Sequence, residues 1–118
     1  MTRLIILFSA AVAVLASARP ASAQDKIEQG SALFTSQKCV MCHAVAGKGN
    51  KKGELDEVGS KLSANDIRQW LANPDTMREK SKATRLPAMR DLKLTKEQVD
   101  ALVAFLQAQK AANANDAR

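Results

Sequence analysis

Aromatic residues are scarce in this chain: three phenylalanines, one tryptophan and no tyrosine among 118 residues. Once the N-terminal stretch treated below is set aside, only Phe34, Trp70 and Phe105 remain. A domain this small and this poor in large side chains is marginal on its own apolar core, and a bulky apolar cofactor would supply the missing volume. The chain has a single histidine and two cysteines. That excludes a four-ligand zinc site and any metal held by two histidines of this chain. Arginine-rich strips and interleaved aromatics are missing, so the formal charge of +6 does not read as a nucleic-acid surface. No acid–base pair or nucleophile stands out, and catalysis by this chain alone is not expected. No stretch alternates apolar and polar residues as a half-buried strand does, so the expected class is all-α.

What is present begins with a three-part leader. Met1-Thr2-Arg3 is a short basic start, Leu4 to Leu15 is apolar, and Ala21-Ser22-Ala23 is an A-x-A processing signal. The apolar run is shorter than the ~20 residues that span a bilayer, so no permanent membrane anchor is expected. Residues 1–23 are assigned to a signal peptide and 24–118 to one domain, with a frayed tail from about 111. Cleavage would remove Arg3 and Arg19 but no acid, lowering the formal charge from +6 to +4. Export sets the bacterial periplasm as the expected compartment, outside a reducing cytosol.

Both cysteines and the histidine fall in one run, Cys39-Val40-Met41-Cys42-His43. C-x-x-C-H is the attachment sequence of a c-type haem. Two thiols about one helical turn apart reach the two vinyl groups of one porphyrin, and the adjoining imidazole lies beneath the iron. A thioredoxin-like redox pair would need a strand before the motif and a βαβ setting. A Cys39–Cys42 disulfide would close a very small loop and stabilise little. Opposite His43, the ligand decides between electron transfer and small-molecule binding. Met1 leaves with the leader and Met41 lies inside the attachment turn. Met89, in Leu86-Pro87-Ala88-Met89, is the expected ligand because proline restricts that backbone. Met77 is the alternative and an open site the third reading; a methionine in a loop is otherwise most often a gap-filler.

The remaining chain reads as helices and loops. Asp25 with Glu28 is taken to cap a first helix over 25–38, with Ile27, Gly30, Leu33 and Phe34 on one face. Gly30 on an apolar stripe marks another backbone passing close by. The attachment motif is expected to form this helix's last turn, and 47–59 a loop. Ser63 with Asp66, and the staple pair Leu62 and Ile67, start a second helix bearing Ile67, Trp70 and Leu71, which ends at Asn73-Pro74. Residues 75–94 read as a loop with at most a short helical turn, rich in Arg78, Lys80, Lys82, Arg85, Arg90 and Lys93. Thr95 with Gln98, and Leu94 with Val99, start the last helix. Its stripe is Val99, Leu102, Val103 and Leu106, widened by Phe105.

Taken together, Gly30 with Leu33-Phe34, Cys39-x-x-Cys42-His43, Gly59-Ser60-Lys61-Leu62 and Leu102 to Leu106 resemble the small class I cytochromes c. The resemblance covers nearly all of 24–118. It implies three to four helices and loops wrapped around one covalent haem. It also implies first and last helices crossing at Gly30 and Phe105, and a methionine ligand in the loop before the last helix, consistent with Met89. Two departures stand out. Many relatives place that methionine directly before a proline, where this chain has Leu86. Many also have a Gly-Pro whose carbonyl orients the proximal imidazole, where here Gly53 precedes Glu54; a carbonyl there is still expected to accept the His43 N–H.

The function expected is a soluble, monomeric periplasmic carrier of single electrons with His43 and Met89 on the iron. Lys48, Lys51, Lys52 and the basic residues of 78–93 would steer it to acidic faces of redox partners. The alternatives are a sensor with an open or labile sixth position, and a dedicated electron-transfer subunit of a periplasmic oxidoreductase.

Overall fold

The computed structural model describes residues 22–111. Helix α1 spans Ala23–Ser36 and is capped by Ser22. The Asp25 N–H donates to Ser22 Oγ at 3.2 Å and the Ser22 N–H to Asp25 Oδ2 at 2.9 Å. Asp25 is therefore the third residue of the helix, where the sequence pattern made it the cap. The reciprocal pair satisfies two otherwise orphaned donors at once, so the helix starts earlier. Ser22 and Ala23 are the described part of the expected leader; residues 1–21 and 112–118 lie outside the described residues.

Lys38 takes up a left-handed conformation with φ 60°. This breaks α1 from the attachment motif, whose Cys39–Met41 form a separate 3-10 turn instead of a last helical turn. A hairpin follows that the sequence pattern did not reveal: β1 (Ala44–Val45) pairs antiparallel with β2 (Lys48–Gly49). Ala46 (φ 51°) and Gly47 (φ 76°) make the reversal, and positive φ at both positions is what a twisted two-residue hairpin requires. Strands of two residues are too short for any alternation to show.

A 3-10 turn at Lys51–Gly53 leads to α2 (Val58–Lys61), then α3 (Ala64–Ala72). Ser63 caps α3, its Oγ accepting the Asp66 N–H at 3.0 Å. Pro74 ends α3 and opens α4 (Pro74–Ser81), where a loop was expected. Proline suits a first helical position because its missing N–H would have no partner there. Asp75 in the first turn and Arg78 and Lys80 in the last complement the helix dipole. Only Pro74 and Met77 are buried, so α4 needs no apolar stripe and shows none. Helix α5 (Lys96–Gln107) carries the capping box of Thr95 and Gln98. The described residues thus hold five α-helices, more than the three to four expected, in a mainly helical fold.

The core is the crossing of α1 and α5. A Cβ on Gly30 would sit 2.5 Å from the Phe105 Cβ and closer still to the Ala101 carbonyl oxygen. Only glycine lets the two backbones approach this far. The rings of Phe34 and Phe105 stack beside it, centroids 5.6 Å apart and tilted by 56°, and Leu102 is fully buried. Helix α3 joins this core through Ile67 and Leu71, and Arg68 Nη1 reaches Asp100 Oδ1 on α5 at 2.6 Å. The end of α5 and the residues after it meet α2: Gln107 Nε2 donates to the carbonyls of Gly59 (2.9 Å) and Leu62 (3.2 Å), and Lys110 Nζ to Gly59 (2.7 Å). Ala111, where the tail was expected to begin, still donates its N–H to Ser60 Oγ at 2.8 Å.

Candidate functional site

After α1 the chain must expose two thiols and one imidazole on a tight turn, and a 3-10 turn leaves its carbonyls without a helical continuation. Each finds a donor elsewhere. The Cys39 carbonyl takes the N–H groups of Cys42 (3.1 Å) and His43 (2.8 Å). The Asn50 N–H serves both Val40 and His43 at 3.0 Å, and Asn50 Nδ2 reaches the Met41 carbonyl at 3.2 Å. Arg85 Nη2 donates to the Cys42 carbonyl at 2.7 Å. Gly49, at φ 111°, lets β2 lie against this turn, since a Cβ there would strike the His43 carbonyl. The turn is therefore held at every carbonyl from Cys39 to His43.

His43 is half-buried, and its Nδ1–H donates to the Gly53 carbonyl at 3.1 Å. That bond fixes the tautomer and leaves Nε2 with its lone pair free, which is the form that binds a metal. Burial holds the imidazole below its ordinary pKa, opposed by the Gly53 carbonyl and assisted by the Arg85 charge, so the neutral ligand form is favoured. Cys39 and Cys42 are free thiols, both half-buried, and burial pushes the Cys39 thiol up. Two unpaired thiols and a pre-oriented imidazole on one rigid turn are the donor set a covalent haem requires. Large apolar side chains are exposed on this turn and on the loop after α4, Met41 at 68% and Leu86 at 79% of full exposure.

The two candidate methionines separate. Met77 is buried within α4. Met89 is half-buried and packs on the same core cluster as Cys39, Val40 and Leu94, so the structure brings the Met89 side chain, and Cys39, to one apolar body. Trp70 is half-buried on α3, and its indole N–H bonds no protein acceptor among the described residues.

Charge around the site is mixed. Lys48, Lys51 and Lys52 are exposed, but the loop continues into Glu54, Asp56 and Glu57, which with Lys61 line an open hollow. The Glu54 carboxyl is held above its usual range, first by its hydrogen bond with Asp56. Among the described residues the ion pairs are Lys61–Glu57, Arg68–Asp100, Lys93–Asp91 and Lys96–Asp100, leaving the three loop lysines and Arg78, Lys80, Lys82, Arg85 and Arg90 without a carboxylate partner. Sequence reasoning missed two residues of the site: Asn50, hidden in a glycine–lysine loop, and Arg85, counted only as one more positive charge.

The sequence model of the family described as cytochrome c matches residues 27–110. The chain is also similar to cytochrome c oxidase subunit 2 of Alkalihalophilus pseudofirmus, 29% identical over 91 residues, which cover 70% of this chain and 25% of that protein. The chain thus spans about a quarter of the length of that curated relative. No solved structure matches it.

Proposed function

This chain belongs to the cytochrome c family, whose domains serve haem-based electron transfer, and from that premise we propose that it is a periplasmic carrier of single electrons in which His43 and Met89 would hold the haem iron. The supporting observation is the His43 Nδ1–H bond to the Gly53 carbonyl, which leaves the Nε2 lone pair free on a turn bearing two free thiols. Cys39 and Cys42 would hold the porphyrin through thioethers, and His43 Nε2 and the Met89 sulfur would hold its iron. The haem supplies the one-electron Fe(III)/Fe(II) couple, which a methionine–histidine pair places at high potential.

The residues around the attachment turn would hold the His43 ligand in one orientation. Asn50 and Arg85 fix the turn beneath, and the Gly53 carbonyl raises the basicity of the imidazole. Among the described residues no helix is long and apolar enough to cross a membrane, and the leader motif supports export. The unpaired lysines and arginines near the attachment turn support docking to acidic partner surfaces. The relative named above supports a variant of the same reading, in which the chain is the electron-transfer subunit of an oxidoreductase; co-purification with such an enzyme separates subunit from free carrier.

The test is expression in a host competent in cytochrome maturation. The secreted protein is expected to carry one haem on two thioethers, with a sulfur-to-iron charge-transfer band in the near infrared when oxidised. Met89→Ala is expected to abolish that band and lower the potential. A bare polypeptide mass would defeat the cofactor assignment, and a band surviving in Met89→Ala would defeat the ligand assignment. Leu86, exposed at the position where the family resemblance leads one to expect a methionine in many members, favours one competing reading, an open sixth position; prompt and full binding of carbon monoxide by the reduced protein would establish it.

A further inference from the structure

Arg85 lies 43 residues beyond Cys42, in the stretch between α4 and α5, yet its Nη2 bonds the Cys42 carbonyl at 2.7 Å. The same guanidinium abuts Gly53: a Cβ there would stand 2.9 Å from Arg85 Cζ and closer to Nη1 and to the Cys42 carbonyl. Gly53 is the residue whose carbonyl orients His43. One side chain therefore touches the residue before the imidazole ligand and the residue that aims it, and it starts four residues before Met89.

We propose that Arg85 is a positioning residue that ties the loop carrying Met89 to the turn carrying His43, so that the two sides of the cofactor site are held by one guanidinium. The Cys42 carbonyl has no helical partner to accept from, and a charged donor serves it more strongly than a neutral one. The planar, forked guanidinium suits the place because one nitrogen can donate to a carbonyl while the rest of the group packs close against a glycine. Gly53 needs to be glycine for the same reason. Asn50 holds the carbonyls of Val40, Met41 and His43 from the loop following the turn in sequence, whereas among the described residues Arg85 is the one side chain that bonds a carbonyl of the turn from the Met89 side.

The distal half of this proposal rests on Met89 as ligand and the proximal half does not, so the test has two arms, both on holoprotein. In the reduced, diamagnetic protein, exchange of the His43 Nδ1 proton with solvent is followed by NMR for wild type, Arg85→Ala and Arg85→Lys. Exchange is expected to be about tenfold faster in Arg85→Ala, equivalent to about 1.4 kcal/mol, and largely restored in Arg85→Lys. In the oxidised protein, titration with imidazole is expected to show about tenfold tighter binding to Arg85→Ala, because a loop freed at Arg85 releases Met89 more readily. An Arg85→Ala protein that is less heat-stable but unchanged in both readouts would overturn the proposal, leaving Arg85 a surface brace. A wild type lacking the sulfur-to-iron band would sink the Met89 assignment separately, and proton exchange would then decide Arg85 by itself.

Discussion

Replacing Gly30 by alanine tests the crossing on which the cofactor site is built. The new Cβ would lie 2.5 Å from the Phe105 Cβ, against an optimum of about 3.5–4.0 Å for two carbons. The obstacle on α5 includes the backbone carbonyl of Ala101, which cannot rotate away, so α1 and α5 must part by roughly 1 Å. A gap of that size forfeits about a quarter to a half of the contact energy along it. Phe34, Leu102 and Phe105 line the crossing, and burying each is worth about 1.5–3 kcal/mol. Losing a third of that costs about 1.5–3 kcal/mol. Alanine returns ~1 kcal/mol by its better helix propensity, leaving a net loss of about 0.5–2 kcal/mol and a Tm lower by roughly 2–16 °C. Thermal unfolding followed by far-ultraviolet circular dichroism measures it, with Ser31→Ala at an exposed place on the same helix as the control. The control is expected to be neutral or slightly stabilising. A Gly30→Ala protein as stable as the control would refute the crossing, because an unopposed helical glycine gains from a methyl group.

Met77→Ala should destabilise by about 2–5 kcal/mol, as truncation of a buried methionine does, while keeping the sulfur-to-iron band; loss of the band in this variant would make Met77 the ligand. Ser63→Ala removes the cap of α3 and should cost about 1 kcal/mol in denaturant unfolding, with the visible spectrum unchanged. Lys96, then Arg68, hold the Asp100 carboxyl below its ordinary pKa. A carboxyl lowered by folding stabilises in full above the unfolded value, about 3.9, and loses that contribution as pH falls through the folded one. The stability gap between wild type and Asp100→Asn should therefore be widest near neutrality and close as pH drops below about 4. The rate of electron exchange with an acidic partner should fall with rising ionic strength, and an insensitive rate would remove the docking role of the unpaired lysines and arginines.

What the sequence made legible was local, and what it hid was held by distant bonds. Cys39, Cys42 and His43 fall within five consecutive positions, so the motif alone suffices to propose the donor set. The helices α3 and α5 announced themselves through the caps Ser63 and Thr95, because a side chain closing on a backbone N–H three residues later is a short-range event. Gly30 was readable because a glycine on an apolar stripe weakens its own helix unless a neighbouring backbone needs the space. By contrast α4 buries only Pro74 and Met77, and a helix stabilised by its end charges leaves no stripe to find. The start of α1 was misplaced because Asp25 and Ser22 both suit a cap, and only the reciprocal bond chooses between them. Asn50 and Arg85 act through main-chain carbonyls 9 and 43 residues away. A carbonyl is present at every position, so no residue type at the receiving end betrays the bond. The attachment motif thus proposes which atoms would bind the cofactor, while the bonds that hold its turn come from donors that the motif cannot encode. A C-x-x-C-H transplanted without its Asn50 and Arg85 would keep the thiols and lose the orientation of the imidazole.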